Sequence, residues 1–137
     1  QGGNTGTPSA KRLERWQRIA IEAAEQSGRT VVPDVENPKM LMEAVIDIVS
    51  EQPLLCMWEE TATQSQPLSR TLRTLPEVQN ELAVLIGPPG GFSASEVEAI
   101  TESGASLVTL GERVLRSETA AITVMSAILY ERGDLGG

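Results

Sequence analysis

Three short runs of nearly unbroken apolar residues, PLLCMW, ELAVLI and ASLVTL, constrain this chain more than any other feature. Each has the length of one strand and no alternating polar face, so each predicts a strand buried on both sides. Strands of that kind belong to parallel sheets, whose neighbours are joined by crossovers. Helical patterns fill the intervals. Residues from about Ser9 to Ser27 carry Leu13, Trp16, Ala20, Ala23 and Ala24 at three- and four-residue spacing, with Ser9 as N-cap and Gly28 as stop. TVVP at 30–33 predicts a short strand ended by Pro33, and Pro38 predicts the start of a second helix, KMLMEAVIDIVS. TATQSQPLSRTLRTLPEVQ predicts a polar loop with a short helix. SASEVEAITES and SETAAITVMSAILYERG predict two more helices, the last stopped by Gly133. The fold class expected is therefore α/β with a mainly parallel sheet and right-handed crossovers. No internal repeat or interior linker interrupts it. One domain over residues 11–137 is expected, after a polar, Gly-rich tail or loop at 1–10.

Composition narrows the chemistry. The 137 residues include no histidine and one cysteine. Ser-His and Cys-His nucleophile systems and the usual zinc hydrolases are excluded, and no metal site is expected. Cys56 lies within PLLCMW and reads as buried packing. The formal net charge of −8 argues against a free-standing nucleic-acid binder, although KRLERWQR is locally basic. A polyanion could meet that patch, but a solvated helix face is the simpler reading. No run is long and apolar enough to span a bilayer, and no secretory signal opens the chain.

Two loops stand at the ends of the second and third apolar runs. The first, LIGPPGGFSASE, places two prolines and three glycines between a strand and a helix. Ser93 and Glu96 fit a capping box, and Phe92 and Val97 a hydrophobic staple. That helix end already satisfies its own amides. With neither a P-loop lysine nor dinucleotide spacing, a nucleotide-triphosphate site is a poor fit. Two readings of the glycines stay open: a tight turn, or a loop bringing bare backbone against a ligand. The second loop, LGERVLRSETAA, holds Gly111, the cations Arg113 and Arg116, the apolar pair Val114 and Leu115, and Glu118 at a helix start. Dipole complementation by Glu118 and surface ion pairs would explain its charges without a ligand. Two such loops at the carboxyl ends of successive strands fit a shared pocket better.

LIGPPGGFSASEVEAI and LVTLGERVLRSETAAI together resemble the paired signatures of the ribosomal RNA small subunit methyltransferase E (RsmE) family, approximately IGPEGGFS-x-x-E and LG-x-R-[IV]-LR-x-ETA. RWQRIAIEAAEQSGRTVVPDV resembles the helix and strand upstream, so the likeness covers nearly the whole chain. It implies a SPOUT-type α/β domain with a C-terminal trefoil knot. It also implies S-adenosylmethionine as cofactor, a homodimer, a cytoplasmic location, and methylation of uridine N3 in ribosomal RNA of the small ribosomal subunit. Carried across by motif, Leu85, Ile86, Gly87, Pro88, Gly90 and Gly91 form one wall of the cofactor site. Leu110, Gly111, Arg113, Val114, Leu115 and Arg116 form the other, and Trp58 and Glu59 a third edge. Arg113, Arg116 and Glu118 are the candidates for catalysis: the arginines for a uracil anion or its phosphate, Glu118 for a proton or to orient an arginine. Two departures bear on activity. Pro89 stands where the family has Glu and removes one backbone N–H. The family also has an N-terminal extension with a basic RNA-binding barrel, so this chain is expected to be a piece truncated at its N-terminus that alone binds RNA poorly. A different class of reading is a SPOUT-like cofactor-binding or dimerisation module impaired in catalysis; a third is an unrelated α/β nucleotide-binding domain. Trp16 and Trp58 read as core or interface packing. Ile122, Val124, Met125, Ile128 and Leu129 spread over more than one face of the last helix, part of which would meet a second subunit.

Overall fold

A computed structural model describes residues 9–28, 30–58, 65–75, 81–111 and 116–133. The chain divides into two compact units, Gln1–Met40 and Leu41–Gly137. The boundary falls inside the span read from sequence as one domain, in a stretch that no composition shift marks.

The first unit holds α1 (Ala10–Gln26). Ser9 caps it as expected, its hydroxyl accepting from the Arg12 N–H at 3.2 Å. The apolar stripe is less buried than its spacing predicts: Ala24 is buried, but Trp16 is 38% exposed. The expected strand at 30–33 is absent, because no neighbouring strand pairs with it. Its polar backbone turns to a side chain instead. Gln17 Nε2 donates to the Pro33 carbonyl at 2.9 Å, and the Val35 N–H donates to Gln17 Oε1 at 2.7 Å. One amide thus does locally what a ladder would have done.

The second unit runs α2 (Leu41–Val49), β1 (Leu54–Met57), β2 (Gln66–Pro67), α3 (Leu68–Thr74), β3 (Ala83–Leu85), α4 (Ala94–Glu102), β4 (Ser106–Thr109) and α5 (Ser117–Glu131). The sheet order is β2-β4-β1-β3 and every pairing is parallel, so the α/β class and its parallel sheet stand as expected. The three apolar runs supply β1, β3 and β4. β2 was not foreseen: it is a short, exposed edge strand ending in proline, as edges tolerate. α2 begins at Leu41 rather than at Pro38.

β1 is buried along its whole length, and its side chains alternate between two cores. Leu54 and Cys56 join Val45 of α2 and Val97 and Ile100 of α4. Leu55 and Met57 join Leu68 and Leu72 of α3 and Val124 and Ile128 of α5. β4 repeats the division, with Leu107 on the first side and Val108 on the second. Helices thus cover both faces, and the strand ends are left as the places where backbone is accessible. Among the described residues no helix is long and apolar enough to cross a membrane.

Candidate functional site

β4, β1 and β3 lie side by side and point the same way, so their carboxyl ends share one edge of the sheet. Open α/β sheets bind ligands along such edges. Trp58 follows β1, Ile86 to Gly91 follow β3, and Leu110 and Gly111 follow β4. The Trp58 N–H donates to the Val108 carbonyl at 3.1 Å, and its half-buried ring packs against the α2–α4 core.

The loop after β3 is held from inside. The Gly91 N–H donates to the Pro88 carbonyl at 2.8 Å, closing a β-turn over Pro88-Pro89-Gly90-Gly91. Gly90 takes the third position with φ +90°, the type II geometry that asks for glycine there. Pro89 takes the second, where a fixed φ is favoured and no N–H is used. The amide lost at Pro89 therefore costs the turn nothing. Gly87 is set by packing: a Cβ there would lie 3.2 Å from two ring carbons of Phe92, itself buried in the α2–α4 core. Beyond the turn, the Ser93 hydroxyl accepts from the Glu96 N–H at 3.2 Å and Glu96 Oε1 accepts from the Ser93 N–H at 2.8 Å, the expected capping box.

The loop after β4 starts with a local lock. Gly111 N–H donates to Thr109 Oγ1 at 3.2 Å, and the same hydroxyl donates to the Gly111 carbonyl at 3.0 Å. Arg116 occupies the N-cap position of α5 without a side-chain cap. The next residue joins the two loops: Ser117 Oγ donates to the Gly87 carbonyl at 2.8 Å across thirty residues of sequence. Because β1 lies between β4 and β3, this bond fixes the start of α5 beside the far neighbour of the strand that precedes it. Sequence reading missed Ser117. Its position between Arg116 and Glu118 was the only signal, and nothing local identifies a partner so distant.

Leu85 packs into the α2–α4 core and Ile86 and Leu110 against the α3–α5 core, so these three give the edge backbone rather than free side chains. Pro88, Gly90, Gly91 and Gly111 are exposed, and a Cβ at any of these glycines would meet nothing within 4 Å. Arg116 and Glu118 are exposed and form no ion pair among the described residues. Glu59, Arg113, Val114 and Leu115 lie outside the described residues. Burial raises the Cys56 thiol to about 11, which keeps it a protonated packing group. Among the described residues no cluster of acidic, cysteine or histidine side chains could hold a metal.

A family profile described as an RNA methyltransferase domain matches residues 3–129. The chain belongs to this RNA methyltransferase family. Within it, the chain is 38% identical over 133 residues to the ribosomal RNA small subunit methyltransferase E of Bacillus subtilis, covering 90% of this chain and 50% of that protein. A ribosomal RNA small subunit methyltransferase E from Neisseria gonorrhoeae, solved bound to S-adenosylmethionine, superposes with TM-score 0.78 at 35% identity. It covers 89% of this chain and 48% of that one. A methyltransferase from Legionella pneumophila, solved with the same cofactor, gives TM-score 0.74 at 34% identity over 89% of this chain and 47% of that one. The chain thus spans about half the length of the relatives it matches, and the resemblance to the RsmE family holds over nearly all of it.

Proposed function

We propose that this chain is the catalytic domain of an S-adenosylmethionine-dependent methyltransferase acting on uridine N3 of small-subunit ribosomal RNA. The observation that carries the reading is the bond from Ser117 to Gly87, which draws the two signature loops together at the shared edge of β4, β1 and β3. The residues present fit the cofactor. Open space beside Gly90, Gly91 and Gly111 lets a flat ring approach bare backbone, while Pro88 and the Trp58 ring add apolar surface. Residues 85–88 with Gly90 and Gly91 form one wall, Leu110 and Gly111 with Arg113 to Arg116 the other, and Trp58 with Glu59 the third edge. A bound S-adenosylmethionine would supply an electrophilic sulfonium methyl. The chain would orient the uracil, exclude water and manage the proton that leaves N3 as the N–C bond forms. Arg116, with Arg113, stabilises the uracil anion or holds its phosphate, and Glu118 takes the proton or steers an arginine.

Titration of S-adenosylmethionine by calorimetry, with ATP as control, tests the site. Selective saturable binding is expected; no binding overturns the assignment. Arg116→Ala is expected to lower methyl transfer more than cofactor affinity, and undiminished turnover would remove Arg116 from catalysis. The reading extends to a trefoil-knotted, cytoplasmic homodimer. Ile122 at 70% exposure, Met125 at 48% and half-buried Leu129 share one face of α5 by their spacing, which suits a second copy. A monomer by sedimentation at high concentration overturns that extension. The turn makes no use of the N–H that Pro89 lacks, whereas the impaired-module alternative rests on the lost Glu carboxylate, and cofactor binding without methyl transfer would favour it.

A further inference from the structure

We infer that the N-terminal half of α1 is a contact surface for single-stranded RNA, built from an exposed indole among unpaired cations. The inference rests on the proposed RNA substrate but concerns residues other than those assigned to the cofactor site. Lys11, Arg12, Arg15 and Arg18 are all exposed, and none forms an ion pair among the described residues. Lys11, Arg15 and Arg18 repeat at four- and three-residue spacing and so stand on one face, with Arg12 beside them. Trp16, expected to be packed away, is 38% exposed, and Ile19 in the next turn is 52% exposed. An exposed apolar ring one turn along from Arg12 and next to the cationic face offers a surface on which a base can stack, while the cations meet phosphates.

Charge decides between occupants. These four are among only 11 basic residues in a chain of net charge −8, so this short segment concentrates cations that the rest dilutes. The acidic side chains on the helix are Glu14, within the patch, and Glu22 and Glu25 toward its C-terminal half. Two copies of so acidic a chain repel each other as wholes, whereas a single RNA strand brings phosphates for the cations and bases for the ring together.

The test uses the whole chain and a fluorescein-labelled oligouridine, with binding followed by anisotropy across a salt series. Glutamine keeps helix propensity close to that of lysine and arginine, so the triple variant K11Q/R15Q/R18Q retains α1. Binding by the unaltered chain is expected to be weak. The triple variant should flatten the slope of log affinity against log salt by about 2, since each phosphate contact on a single strand contributes roughly 0.7. Trp16→Leu should weaken binding about fivefold or more while leaving that slope unchanged, because stacking releases no counterions. An unchanged salt slope in the triple variant, or no RNA binding by the unaltered chain, overturns the inference. Calorimetry with S-adenosylmethionine on the same proteins keeps the two readings apart. Loss of RNA binding with cofactor affinity intact supports the surface, whereas absence of cofactor binding counts only against the site.

Discussion

α4 and α5 each follow a parallel strand in this domain, yet they begin in opposite ways. α4 closes its first turn on itself: Ser93 and Glu96 exchange bonds over three residues, and Phe92 and Val97 share one core. α5 has no side-chain cap, and the hydroxyl at its first position reaches thirty residues back to the Gly87 carbonyl. One helix start is complete in itself. The other is complete only when two loops have met. The difference teaches where function enters the fold: both starts adjoin the glycine loop, but only that of α5 depends on a bond between the two signature loops.

The comparison can be broken by substitution, and the effects should differ in kind as well as size. Ile100→Ala, which removes a fully buried side chain from α4, should lower stability by roughly 2–5 kcal/mol in urea unfolding. A smaller loss would mean that the α2–α4 core collapses around the gap. Ser93→Ala should cost about 1 kcal/mol of stability, with affinity for S-adenosylmethionine unchanged, since the hydroxyl's partners, the Glu96 N–H and the Ser95 hydroxyl, both belong to the first turn of α4. Ser117→Ala should cost a similar or smaller amount, about 0.5–1.5 kcal/mol. It should also weaken cofactor binding about fivefold, and Ser117→Thr, which keeps the hydroxyl, should restore it. If Ser93→Ala reduced affinity as much as Ser117→Ala, the distinction between the two starts would be wrong. The least visible effect at neutral pH lies at Cys56. Burial pushes its thiol up to about 11 in the fold from an ordinary value of 9.0, so the unfolded chain releases its proton first as pH rises. The stability it contributes is complete below about 9 and is lost as pH climbs through about 11, and Cys56→Ala should remove that decline.

The same contrast explains what could be read in the sequence. β1, β3 and β4 were legible because contact with a core on each face leaves a continuous apolar run, although β3 is only half-buried, and the α4 start because its partners lie three residues apart. TVVP was misread because β-branched residues favour a strand only where a neighbour offers a ladder, and here Gln17 took up the backbone groups. Gln66–Pro67 was missed for the converse reason: an exposed polar dipeptide becomes a strand only because β4 lies beside it. The glycine loop was legible as a turn or a ligand site without a choice between them, and the structure shows a turn whose far side stays open. Ser117 was illegible because its identity as an anchor belongs to Gly87. Trp16 was misjudged because helical spacing groups apolar residues on a face without stating what covers that face.

The strand order has a consequence for how the chain is made. β4, near the C-terminus, lies between β1 and β2, which come earlier and have no pairing with each other. As synthesis proceeds, β1 and β3 can zip together, but β2 has nothing to join until residues 106–109 arrive. The sheet is therefore completed by insertion rather than by addition at an edge. Most of its long-range contacts form late, and a nascent chain paused before β4 would display one unpaired flank of β1 to any passing strand.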